Sequence, residues 1–164
     1  MSKNKKNFLI GLVVVAGAVV LLGFNTFKAM FSGSGASNTT RELAMSCTLD
    51  MYTQFHIHPN LKIIVNGEAQ AVSANVGITL GCMHPLHTHD TSGTIHVESP
   101  EQRDFTLGDF FAVWDKPFNK DALLDNHADA THEIVVTVGG APNSEYENLV
   151  LKDKEEIVIE YRTK

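Results

Sequence analysis

The sequence predicts a mainly β domain, an antiparallel sandwich or a β-grasp-like sheet with one short covering helix, preceded by one N-terminal transmembrane helix. Three observations predict it. An uncharged apolar run fills residues 8–24, several short segments after residue 54 alternate apolar and polar residues, and one later stretch, 107–114, has apolar residues at helical spacing behind a capping residue.

The first element is the apolar run FLIGLVVVAGAVVLLGF, with Lys3, Lys5 and Lys6 before it and Lys28 after it. Its 17 residues, at about 1.5 Å each, reach roughly 25 Å, and the flanking residues bring the segment close to the hydrocarbon thickness of a bilayer. A removed leader cleaved near Ser34 or Ala36 is the competing reading, but the run is long for the apolar part of a signal peptide. Lysines ahead of a single span hold that end in the cytoplasm. The expectation is therefore a single-pass protein of the cell membrane whose C-terminal domain lies on the extracytoplasmic side. Residues 1–28 are the cytoplasmic N-terminus and anchor, 29–41 a flexible linker containing SGSGASNTT, and 42–164 the domain.

Charge narrows the partners. All 19 acidic residues follow position 41, whereas four of the 13 basic residues lie at or before Lys28 and nine beyond it. The part after Lys28 thus carries nine positive and nineteen negative groups, a net of −10. No basic stripe is present for phosphates, which excludes nucleic acid as a partner.

Within the domain, residues 55–58 (FHIH) alternate and stop at Pro59-Asn60. Residues 61–65 (LKIIV) run into Asn66-Gly67, a two-residue hairpin signal, and return as 68–72. Residues 94–98 put Ile95 and Val97 on one face and Thr94, His96 and Glu98 on the other. Thr106 caps 107–114 with Asp109 three positions on, and Pro117 stops that helix. Its core face is formed by Phe105, Leu107, Phe110, Phe111 and Trp114. The remaining strands are 133–138, ending at Gly139-Gly140, and 148–151 joined through 152–154 to 156–161 as a closing hairpin.

Strand phase gives the histidines a geometry. Six of the eight histidines lie between His56 and His96. Residues two apart in extended chain project from one face about 6.5–7 Å apart, close enough for two imidazoles to reach one ion. His56 with His58, His87 with His89, and His96 with Glu98 meet this condition. One such pair is commonplace as a solvated or structural feature; three in so short a span point to a transition metal, with copper or zinc first. The expected ligands are His56, His58, His87, His89 and His96, with Asp90, Glu98 and His84 as the neighbours that orient them. His127 and His132 fall in an acidic stretch read as a solvated loop.

Other chemistries lack support. Cys82-Met83-His84 has no later methionine to complete a blue-copper loop, and the cupin spacing of Gly81 to His89 lacks its glutamate. About 125 residues cannot form the eight-fold barrel that an amidohydrolase requires. No nucleophile elbow or phosphate-binding glycine loop occurs, so no catalytic residue is assigned. Cys47 and Cys82, in an exported domain, read first as a disulfide contributing roughly 3–4 kcal/mol by loop closure, with Cys82 as a thiolate ligand or a free thiol as the alternatives.

The run C-x4-H-T-H-D-x-S-G-x-I-H-V-E-S-P at 82–100, followed by F-T-L-G-D-F-F-A-V-W at 105–114 and preceded by the H-x-H and N-G elements at 56–67, resembles an uncharacterised family of exported or membrane-anchored prokaryotic proteins. The resemblance covers about residues 55–114 and implies one exported domain, with no activity to transfer. Function rests on the chemistry. The expectation is a membrane-anchored extracytoplasmic protein that binds one copper or zinc ion for capture, delivery or sensing, with the membrane and a metal-receiving protein or membrane complex as partners. An accessory subunit of a larger membrane complex with structural histidines, and a small metalloenzyme using Glu98 as a base, are the alternatives.

Overall fold

The computed structural model describes residues 39–49 and 53–164. The expected span at 8–24 lies outside them, and among the described residues no helix is long and apolar enough to cross a membrane.

The described chain begins with a short helix, α1 (Thr40–Ala44), which starts in the last two residues of the expected linker and runs into the expected domain. A capping box explains it: the Thr39 hydroxyl accepts from the Glu42 N–H while the Glu42 carboxylate accepts the Thr39 N–H at 2.8 Å. Strands β1 (Phe55–Ile57), β2 (Asn60–Val65) and β3 (Glu68–Gln70) follow. Asn66 and Gly67 turn the β2–β3 hairpin with φ of 52° and 85°, the left-handed pair that this two-residue turn requires.

A second region holds the ribbon β4 (Ile78–Thr79) and β5 (Cys82–Met83), then β6 (Leu86–His87) and β7 (His96–Ser99). Helix α2 (Leu107–Val113) starts at Thr106 with the expected reciprocal bonds to Asp109. The other Asp109 carboxylate oxygen takes Arg41 Nε at 2.9 Å, tying α1 to α2. A small meander, β8 (Phe118–Asn119), β9 (Ala122–Leu123) and β10 (Asn126–His127), precedes β11 (His132–Val138), β12 (Ala141–Asn143) and β13 (Glu156–Thr163).

The main sheet has the order β12-β11-β13-β2-β3, with β13 parallel to β2 and every other pair antiparallel. The last strand sits centrally beside β2, and this parallel pair sets the sheet apart from an all-antiparallel one. Register stacks apolar rows across it: Val138, Ile157 and Leu61; then Val136, Ile159 and Ile63; then Ile134, Tyr161 and Val65. All but Val65 and Val138, which are half-buried and pack against it, share one buried cluster with Phe105, Leu107, Phe110 and Phe111 from the helix region.

The closing hairpin expected from 148–151 to 156–161 does not form. Leu149 accepts the Leu107 N–H and Leu151 donates to Phe105, so this segment runs beside the start of α2, while β13 finds β11 and β2 instead. Alternation sets which side chains face the core, and both partnerships bury the same set; Leu149 and Leu151 are buried in this one. His132 also departs from the solvated-loop expectation, opening β11 and stacking on Tyr161 with ring centroids 5.0 Å apart.

The turn between β1 and β2 is clipped to the segment before β7. Leu61 donates to Gly93 at 2.8 Å and Ile95 donates to Pro59 at 2.9 Å. A Cβ on Gly93, whose φ is +85°, would lie 2.2 Å from the Leu61 carbonyl oxygen. Gly93→Ala is therefore expected to destabilise the protein by about 3 kcal/mol, while Gly67→Ala, with nothing within 4 Å, costs only the roughly 1–2 kcal/mol of a left-handed backbone. Urea unfolding midpoints check the contrast, and equal losses would refute the clip.

Candidate metal centre

A three-stranded antiparallel sheet, β1-β7-β6, builds the site. Ile57 pairs with Val97, which also pairs with Leu86, and this apolar line is buried. Pleating sends the alternate residues the other way, where His56 stands opposite Glu98 and His87 stands opposite His96. His58 and His89 lie just beyond the ends of β1 and β6.

The five expected ligands come together as two groups, His56–His58–His96 and His87–His89–His96. In each, one donor atom per residue lies within 4.8 Å of the others. Tetrahedral zinc with bonds of about 2.0–2.1 Å spaces its donors about 3.3 Å apart, so side-chain rotation on the order of an ångström closes either group on an ion. Ring centroids are 4.3 Å apart for His56 and His58, 4.9 Å for His87 and His89, and 5.3 Å for the nearly parallel rings of His87 and His96.

His87 is fully buried. Its Nδ1 lies 3.1 Å from the His84 carbonyl oxygen, which can only accept, so Nδ1 carries the ring proton. The lone pair is left on Nε2, which is buried with no hydrogen-bond partner. Burial lowers the His87 pKa to about 4, outweighing the opposing bond to His84, so the ring is neutral at physiological pH. His96 Nδ1 is likewise buried and unpartnered, and the His96 pKa is lowered by burial and then by His89 and His58. A buried unsatisfied nitrogen costs about 1–3 kcal/mol, a cost that a metal bond removes. Both bare nitrogens belong to rings in the second group.

The supporting residues have varied roles. Glu98 Oε1 is 3.1 Å from His56 Nε2 and 3.9 Å from His96 Nδ1, so its carboxylate faces the first group. His84 acts on His87 through its backbone carbonyl, while its own Nδ1 lies 3.2 Å from the Ala44 carbonyl oxygen. Asp90 accepts the Ser92 N–H at 2.8 Å and shapes the loop after His89; the bonds to Ser92 hold its carboxyl below the usual range. Cys47 and Cys82 form a disulfide, which withdraws the Cys82 sulfur from metal binding.

Two supports escape sequence reading. The Asp153 carboxylate accepts the His58 N–H at 3.0 Å and Lys154 N donates to the His58 carbonyl, clamping that candidate ligand from a loop 95 residues away. Only topology brings them together. Thr88, fully buried between His87 and His89, donates to Ser73 at 2.7 Å and accepts from Val76 N at 3.1 Å. Its place within H-T-H was the available signal. His127 and His132 belong to neither group.

Compared with protein-family models, curated proteins and solved structures, the chain matches none. The site is therefore read from its own geometry.

The depressed His87 pKa has a sign that can be checked. Below pH 6.5 the unfolded chain takes up a proton at this residue that the folded chain refuses until about pH 4. Stability of the metal-free protein should therefore fall as the pH falls through this window. The slope between pH 6.5 and 5 should be shallower in His87→Leu. Denaturant midpoints across that range test it, and identical slopes would refute the buried neutral imidazole.

Proposed function

We propose that this protein is a membrane-anchored, extracytoplasmic transition-metal binding protein that captures, delivers or senses copper or zinc, with His87, His89 and His96 as its principal ligands. The single observation carrying this reading is the bare Nε2 of His87, fully buried, fixed in tautomer by the His84 carbonyl and facing two further imidazoles. A neutral, oriented, desolvated lone pair beside two others is what a borderline metal such as zinc or copper takes. The disulfide keeps thiolate out of the ligand set and fits an oxidising compartment. The anchor and its orientation rest on the apolar run at 8–24 and the lysines before it. A metal-receiving protein or a membrane complex is the partner this role requires.

A small metalloenzyme is the second reading, favoured by the donor count. Three imidazoles leave a fourth position for water on a tetrahedral ion, and Glu98 supplies a carboxylate nearby. Purely structural histidines, as in an accessory subunit, would be expected to pair both ring nitrogens, which His87 and His96 do not.

The full chain, purified after expression with copper and zinc supplied, should carry about one ion per chain by elemental analysis, the number that one three-imidazole site holds. His87→Ala with His89→Ala should raise Kd by about 100-fold or more, since ligand loss exceeds the 10–100-fold cost of losing a ligand's support. A folded, metal-free protein with no affinity for either ion would sink the proposal.

A further inference from the structure

We propose that the five histidines are two successive stations for a single ion: an outer group, His56, His58 and His96, that captures it, and an inner group, His87, His89 and His96, that keeps it, with His96 passing the ion between them. This rests on the metal-binding reading above and adds a path to it.

His96 is common to both groups. Its ring centroid is 4.7 Å from that of His58 and 4.5 Å from that of His89, which places it midway between the two sides. A neutral imidazole has one lone pair and one N–H, so it serves one ion at a time. Two ions, each with three imidazoles, would require His96 to lose its remaining proton. With His96 neutral, filling one group empties the other, and a shared ligand keeps the ion bound while the other two ligands change. The transfer breaks two metal–nitrogen bonds, to His56 and His58, and forms two, to His87 and His89. No electron moves, and a swing of the His96 ring with the same nitrogen bound moves no proton.

The two groups differ in a way that sets direction. The side chains of His56 and His58 are 45% and 38% exposed, and Glu98 stands 3.1 Å from His56 Nε2, so a cation meets an accessible, negatively flanked group first. The inner group has carboxylates near it but none within hydrogen-bond distance, with Glu98 3.9 Å from His96 Nδ1 and Asp90 acting on His89 through space, and His89 is exposed; what sets it apart is His87, fully buried with a lone pair that has no protein partner. That nitrogen gains most from a metal bond, because it gives up no hydrogen bond to a protein group to make one.

Stopped-flow mixing of the metal-free full chain with Co2+, a spectroscopic stand-in for zinc, separates the stations. Wild type should bind one ion in two phases, a fast one that depends on Co2+ concentration and a slower one that does not. His56→Ala with His58→Ala should still bind one ion but load roughly tenfold or more slowly, the scale of lost electrostatic capture. His87→Ala with His89→Ala should keep the fast phase alone and lose its ion on desalting. If circular dichroism shows the first double variant unfolded, His56→Gln carries the same expectation for the fast phase. Two ions in wild type, single-phase loading, or an unchanged rate in the outer-group variant would overturn the relay while leaving metal binding in place. A folded wild type that binds no Co2+, Cu2+ or Zn2+ would overturn both.

Discussion

The placement of β7 between β1 and β6 is the constraint on which the rest of the site depends. One face of that small sheet is the line of Ile57, Val97 and Leu86, and the opposite face carries His56, Glu98, His96 and His87. Side chains alternate along a strand, so a slip of one residue would turn the imidazoles towards the apolar core and the aliphatics away from it together. Burial of the apolar line therefore fixes where the candidate ligands stand. The bonds from Leu61 to Gly93 and from Ile95 to Pro59 add a second restraint, since they join the turn after β1 to the segment entering β7. The main sheet is coupled to the site through the same turn: β2 begins at Asn60, whose N–H bonds to Glu155 at the threshold of β13.

Buried polar groups near the candidate site differ in how they are satisfied. Thr88 is as buried as His87, yet its hydroxyl both donates and accepts. Asp109, also buried, uses both carboxylate oxygens, one at the helix cap and one on Arg41. Folding has satisfied these groups with ordinary partners, as buried polar atoms usually are. His87 and His96 each keep a bare nitrogen in the same neighbourhood, and they face each other across the β6–β7 pair. Among the described residues the same shortfall recurs only at Glu155 Oε2, ahead of β13, so two of its three places are rings of the candidate site.

Local rules carried the sequence reading a long way and then ran out at identifiable points. Period-two alternation located His56, His96 and Glu98 on β1 and β7, Asn66-Gly67 marked its hairpin, and Thr106 with Asp109 marked the helix start. Each of these signals lies within about five residues of chain. The segment at 148–151 has the same alternation, but alternation names a face and leaves the partner open, so its docking beside Phe105 and Leu107 was not legible. The Asp153 clamp on His58 was hidden for the same reason. Likewise, three sequence pairs suggested one cluster, whereas antiparallel register divides the ligands into two groups that meet at His96. Nothing in the residues around His96 distinguishes it as the shared one; only its position in the middle strand does.

The disulfide has a consequence for the order of events during maturation. The covalent ring closed by Cys47 and Cys82 contains His56 and His58 and ends two residues before His84, whose carbonyl holds His87. In a reduced, unfolded chain, bringing β1 to β7 and β6 means closing that long loop from free ends, with the entropy cost this entails. Once the thiols are oxidised, the two halves of the ligand set are already tethered and search a smaller volume. Thiol oxidation thus acts as a clock for the site, since the imidazole cluster gathers at a lower entropy cost once the bridge has formed.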